Sequence, residues 1–67
     1  MTLSTRNQLK ATVKSVEKQG LMAQVAMDVG GQSITAIITS QAVDDLGLKE
    51  GESATALIKA TSVMIMK

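Results

Sequence analysis

The amino-acid sequence predicts an all-β chain of five strands, with one short helix between the third strand and the fourth. Two observations lead to this prediction. Apolar and polar residues alternate over several stretches, which is typical of strands with one buried face. Glycine and polar residues separate these stretches at the spacing of hairpin turns. The chain has 67 residues, and we expect residues 1–67 to form a single domain.

The first two predicted strands show the alternation most clearly. In the first, Leu9, Ala11 and Val13 alternate with polar residues, and the strand is predicted to end near Gly20. In the second, "LMAQVAMDV", residues 21–29, alternates without a break. Strict alternation over this length predicts a strand with one buried face. The polar residues that precede Leu9 are expected to lie outside the first strand.

A tight turn, a third strand and a short helix are predicted next. Gly30 and Gly31 readily adopt the positive φ angles of a hairpin turn, so that "ITAIIT", residues 34–39, returns beside the second strand. Ser40 is predicted to be the N-cap of the helix, and Gly47 its C-cap glycine in the left-handed conformation. One or two helical turns fit between them.

The last two predicted strands are "SATALIK", residues 53–59, and "SVMIM", residues 62–66. Five short strands bury their apolar faces most economically by curling into a small barrel. A helix between the third and fourth strands is the order found in OB-folds. The sequence therefore predicts a five-stranded OB-fold barrel.

Apolar residues on the second faces of these strands predict an oligomer. A domain of this size buries only about 60% of the surface that its unfolded chain exposes. The chain has no cysteine for disulfides and no histidine to help hold a structural metal. Large exposed apolar patches usually mark interfaces. The apolar residues that a single chain would leave wet are Met22, Ala26, Ile37, Leu57, Met64 and Met66.

The composition argues against an enzyme, a metal-cation site and a nucleic-acid site. The six carboxylates lie mostly between Asp44 and Glu52, and nothing indicates the positioned group that acid–base catalysis requires. These acids also lack the spacing of an EF-hand loop. Single-stranded nucleic acid binds OB-folds through aromatic platforms and a basic groove, whereas this chain has no aromatic residue and a formal charge of +1.

No stretch of the chain resembles a targeting or membrane segment. A membrane span requires about 18 or more apolar residues in succession, and no window of the sequence approaches that length. The polar residues near the N-terminus do not fit a secretory signal. We therefore expect a cytoplasmic protein with no membrane partner.

A set of hydrogen-bond donors with no nearby acid forms the candidate site. A tetrahedral dianion such as molybdate or sulfate accepts hydrogen bonds on every oxygen, and charge-assisted bonds are about twice as strong as neutral ones. Each donor also has an ordinary interpretation as a terminal residue, an ion-pair partner, a helix cap or a solvated strand end. Both interpretations stay open at this point. The donors are Ser4, Thr5, Arg6, Asn7, Thr39 and Lys59.

Three segments carry a resemblance to a known family: the Ser-x-Arg-Asn-Gln-Leu opening, the "IIT" strand with the helix and "LGLKEG" after it, and the ending "LIKATSVMI". In this order and spacing, the sequence resembles the molbindins, small molybdenum-pterin-binding proteins built from a single TOBE, or Mop, domain. The likeness covers essentially the whole chain.

The resemblance implies an OB-fold that assembles into a hexamer, a trimer of dimers. It also implies binding of molybdate or tungstate, at subunit interfaces, as a cytoplasmic store for molybdenum homeostasis. The implied ligand is the oxyanion and not a pterin. The matching positions are Ser4, Arg6, Thr39 and Lys59 for side-chain ligands, and Thr5 and Ala60 for backbone N–H donors.

Two features of the resemblance leave alternatives open. Thr5 stands where the family commonly has alanine, and its hydroxyl would either join the ligand shell or crowd it. A second class of site in the family, near threefold axes, is not assigned to residues here. The alternative function is a molybdate-sensing module that acts with a regulator or transporter, since TOBE domains also occur attached to such proteins. A chain that begins at Met1 and ends just past the last predicted strand favours a free-standing store.

Overall fold

The computed structural model describes residues 5–67 and shows four strands, one α-helix and one 3₁₀ turn. Within these residues, no helix has the length and apolar character that a membrane crossing demands. The elements are β1 (Thr5–Gln19), β2 (Met22–Val29), β3 (Gln32–Thr39), α1 (Ser40–Leu46), β4 (Ser53–Lys59) and the 3₁₀ turn η1 (Ala60–Ser62).

Glycine turns join the first three strands into two hairpins. Gly30 and Gly31 have φ angles of 57° and 88°, and a type I′ turn requires positive values at both central positions. The predicted glycine turn between β2 and β3 is thus confirmed. Gly20, with a φ of 64°, begins the corresponding turn between β1 and β2. These primed turns match the twist of the strands they connect.

The four strands form one antiparallel sheet in the order β3-β2-β1-β4. β1 is shared between two partners, because residues 5–12 pair with β4 and residues 12–19 pair with β2. A register shift between Val13 and Ser15 marks a β-bulge, which bends a strand. The apolar residues that alternate along the strands pack on one face of the sheet, together with Val43 of α1. The buried core consists of Ala11, Val13, Ala23, Val25, Met27, Val43 and Ala56.

The predicted fifth strand is not formed, and the sheet does not close into the five-stranded barrel that the sequence predicted. After β4 the chain turns through η1, where the Val63 N–H donates to the Ala60 carbonyl at 3.4 Å. β4 ends opposite Thr5, where the described part of β1 begins. The following residues therefore lie beyond the described part of β1. They have no strand in the described chain to pair with, although a short apolar run is compatible with a buried strand.

Two predicted boundaries also need correction. Thr5 to Asn7 belong to β1, whereas the sequence placed them before it, because backbone pairing with β4 does not depend on apolar alternation. The N-cap of α1 is Thr39 and not Ser40, since the Thr39 side chain accepts a hydrogen bond from the Ala42 N–H at 3.0 Å. The Ser40 hydroxyl instead donates a hydrogen bond to the Gly20 carbonyl, in the β1–β2 turn, at 2.9 Å.

The apolar residues predicted to be exposed in a single chain are exposed, except Ala26, which is half-buried. Met22, Ile37 and Leu57 expose 45%, 60% and 49% of their surface. The segment 63–66, which we call the apolar tail, is exposed by 50% to 96%. Large apolar residues thus lie outside the core on the outer face of the sheet, in the tail, and at Leu21 and Leu46.

Candidate anion site

The candidate site is built where the start of β1 lies beside the end of β4. Thr5 is opposite Lys59, and Asn7 is opposite Ile58. Arg6 is therefore one residue in excess on β1, with no partner of its own on β4. This is the arrangement of a β-bulge, which leaves the extra residue unpaired and redirects its side chain. Arg6 is accordingly exposed.

The two cations of the site have no acidic partner among the described residues. Neither Arg6 nor Lys59 forms an ion pair within 4.0 Å, whereas Lys18 does so with Asp44. Within residues 5–67, no three acidic residues come together in a way that would hold a metal cation. The structure therefore gives no support here to the interpretation of Arg6 as a surface ion-pair partner. Donors without competing acceptors suit an anion.

Lys59 and Ala60 mark the change from strand to turn at this site. Lys59 is the last residue of β4, as predicted, and its side chain makes no capping hydrogen bond. Ala60 is the first residue of η1, and the first N–H groups of a helical turn have no acceptor within that turn. The role of Ala60 as a backbone donor to an anion stays a prediction.

Thr39 lies at the opposite end of the sheet from Arg6 and Lys59. It pairs with Met22, which in turn pairs with Gln19 at the far end of β1. The strand register therefore does not bring Thr39 to the other predicted ligands within one chain. Ser4, the remaining predicted side-chain ligand, lies outside the described residues.

The Thr39 hydroxyl caps α1 and can still donate a hydrogen bond to a ligand. It accepts the Ala42 N–H bond as the N-cap, and a hydroxyl that accepts a hydrogen bond still has its own proton to donate. The helix-cap interpretation of Thr39 is thus confirmed, and it is compatible with a second role as a donor to an anion.

Thr39→Val is expected to lower the free energy of unfolding by about 1 kcal/mol, the usual cost of losing a hydroxyl N-cap. Thr39→Ser keeps the capping oxygen and is expected to cost much less. Urea unfolding followed by far-ultraviolet circular dichroism measures both variants. Equal stability of the valine and serine variants would contradict the capping role.

Asn7 is the site residue whose role the sequence did not indicate. Its side-chain amide donates to the Ile58 carbonyl at 3.1 Å, and the side chain is half-buried. The sequence placed Asn7 among the candidate donors but did not predict its hydrogen bond to β4. Its signals were its place among the candidate donors and in the Ser-x-Arg-Asn-Gln-Leu opening, but a bulge has no pattern that alternation would reveal.

Comparisons of the sequence and of the structure with known proteins point to the same family. A sequence model of the TOBE domain matches residues 3–65. Molybdenum-pterin-binding protein 3 of Clostridium pasteurianum is 46% identical over 67 residues, which cover 98% of each chain. The structure of a molybdate-binding protein from Sporomusa ovata superposes with a TM-score of 0.94, at 45% identity and over 100% of both chains.

A third match is to part of a longer protein. The structure of the cytoplasmic molybdate-binding protein ModG, with molybdate bound, has a TM-score of 0.89 and is 46% identical. The match covers 96% of this chain and 46% of ModG. The single chain superposes on these OB-like proteins, although its own sheet is open and has four strands.

Proposed function

This chain belongs to the TOBE domain family, and from that premise we propose that it binds molybdate and acts as a cytoplasmic store or buffer of molybdenum. The observation that carries the proposal is the pair Arg6 and Lys59, brought to one end of the sheet without an acidic partner among the described residues. The relatives reported above are named as binding proteins, and the proposed activity is likewise binding without turnover.

The chemistry of the pair fits a tetrahedral oxyanion. The guanidinium of Arg6 presents rigid, planar donors that match two oxygens at once, whereas the Lys59 ammonium is a compact charge on a flexible stem. Hydroxyl and backbone N–H donors from Thr39, Thr5 and Ala60 complete the shell without adding charge. Tungstate presents the same charge and shape, and we propose that it binds as well. Sulfate is smaller, so cavity size would discriminate against it.

We propose that the site is completed by a second copy of the chain. Thr39 and the pair Arg6 and Lys59 lie at opposite ends of β1. Two chains that place the Thr39 end of one against the Arg6 end of the other would bring the donors together. Ser4 is proposed to join this set.

The exposed surface of the single chain supports assembly. Its accessible area is 5542 Å², while a folded monomer of 7.0 kDa is expected to expose about 4,000 Å². The difference between these two areas is larger than the roughly 800 Å² that each partner buries in a standard interface. The exposed large apolar residues include those of the outer face and of the apolar tail. We propose the hexamer, a trimer of dimers, that the molbindin resemblance implies.

Native mass spectrometry with and without molybdate tests subunit count and bound oxyanion together. The expected result is a homo-oligomer that gains molybdate in whole-number steps, with titration calorimetry giving the affinity. The control ligand is sulfate at equal ionic strength, which is expected to bind much more weakly. A monomer that retains no molybdate would refute the proposed function.

A further inference from the structure

The bulge at Arg6 changes which residue stands opposite Lys59. With Asn7 held opposite Ile58, an unbroken antiparallel ladder would place Arg6 directly opposite Lys59. Like charges directly opposite each other across two strands are destabilising. In the observed register, Thr5 takes the position opposite Lys59. The bulge thus keeps the two cations close along the strands without pairing them.

The side chain of Asn7 holds this arrangement from β1 to β4. Its amide nitrogen donates to the Ile58 carbonyl at 3.1 Å, across 51 positions of sequence. A bulge locally disrupts the backbone ladder, and the Asn7 amide supplies a donor at that point. The bonded carbonyl belongs to the peptide group that also contains the Lys59 nitrogen. This hydrogen bond therefore links Asn7, the neighbour of Arg6, to the peptide group between Ile58 and Lys59.

We propose that Asn7 is a positioning residue of the anion site, which maintains the Arg6 bulge and the peptide plane at Lys59 and so presents both cations to one oxyanion. Asn7 itself need not touch the ligand. This inference rests on the proposed function and gives a positioning role to Asn7, which the sequence offered only as a candidate donor. Groups that orient the ligands of metal sites typically change metal affinity about 10-fold to 100-fold when they are removed, and we expect an effect of that order here.

A double-mutant cycle with Arg6 tests the proposal. Asn7→Leu keeps the branching of the side chain and removes the donor, and it is expected to weaken molybdate binding about 10-fold. In the background of Arg6→Lys, the same change is expected to cost less than about twofold, because residues that act through one another are not additive. The matched control is Gln8→Leu, the same kind of change at the next, exposed position of β1, and unchanged affinity is expected.

Amide hydrogen exchange gives a second measurement that needs no ligand. In Asn7→Leu, exchange is expected to become faster at residues 5–8 and 58–60 and to stay unchanged in the hairpin of β2 and β3. A merely stabilising role would accelerate exchange throughout the sheet and would weaken binding equally in both Arg6 backgrounds. Either of those outcomes overturns the proposal, as does unchanged affinity in Asn7→Leu.

The two proposals fail in different ways. If the unaltered protein binds no molybdate, the proposed function is refuted. In that case, local acceleration of exchange in Asn7→Leu would still show that Asn7 maintains the bulge, and unchanged exchange would refute that role as well. If the unaltered protein binds molybdate and Asn7→Leu binds equally well, only the positioning role is refuted.

Discussion

Arg6→Lys is expected to weaken molybdate binding by about 10-fold to 100-fold, although the charge is conserved. Hydrogen bonds to charged groups contribute about 1.5–3 kcal/mol each, and the substitution replaces a planar fork with a single ammonium. The bulge at Arg6 is fixed by the pairs Thr5–Lys59 and Asn7–Ile58. The shorter reach of lysine therefore cannot be recovered by a shift of the backbone.

Titration calorimetry of the oligomer with molybdate, at constant ionic strength, measures this loss. The matched control is Lys10→Ala, which removes an exposed cation from the same strand at a position outside the proposed site. Because surface charges are screened beyond about 10 Å at 0.1 M salt, less than a twofold change is expected for the control. Equal affinities of Arg6→Lys and the unaltered protein would show that Arg6 does not contact the ligand.

Ile65→Asp is expected to break the assembly into smaller species. Ile65 lies in the apolar tail and is 94% exposed in the single chain. Burial of its side chain against a second copy would be favourable by about 1.5–3 kcal/mol. An aspartate in the same place would have to lose its hydration without a partner, which costs several kcal/mol. This cost recurs at every symmetry-related interface.

Native mass spectrometry at low micromolar concentration measures the subunit count of the variant. Lys67→Asp is the control, since it also adds a carboxylate to the end of the chain but replaces an exposed polar residue. The fold of each chain is expected to persist in both variants, because the tail contributes no residue to the core. An Ile65→Asp variant that stays fully assembled would exclude the tail from the interface.

Alternation was sufficient to predict the regular strands. β4 has the predicted bounds, Ser53–Lys59, and β2 begins one residue later than predicted. Side chains of a strand point alternately to opposite faces, so a buried face is visible in sequence wherever the strand is regular. The turn at Gly30 and Gly31 was also predictable, because positive φ angles at adjacent positions strongly favour glycine.

The ends of the chain were harder to predict for two different reasons. Thr5 to Asn7 form a strand whose residues show no alternation, because the extra residue of a bulge interrupts it. The apolar tail is a short apolar run, which is compatible with a buried strand, but it has no strand partner among the described residues. Side-chain pattern reports which faces are apolar, whereas a strand also requires another backbone to bond.

The candidate site was predicted as a set of residues but not as an arrangement. Donor chemistry selected Arg6, Thr39 and Lys59, and strand ends were visible at Thr39 and Lys59. The register that separates Thr39 from the two cations depends on which strands pair. Sequence pattern does not determine that pairing. The role of Asn7 depends on one hydrogen bond across the whole chain, which no local pattern reveals.

The separation of Thr39 from Arg6 along β1 has a consequence for how a store would respond to dilution. Under the proposed function, neither chain alone holds a complete site, so molybdate binds only to the associated form. A ligand that binds one form preferentially stabilises it by mass action. Molybdate would then promote assembly, and its apparent affinity would rise with protein concentration. Synthesis of more protein would raise both the number of sites and the tightness of each.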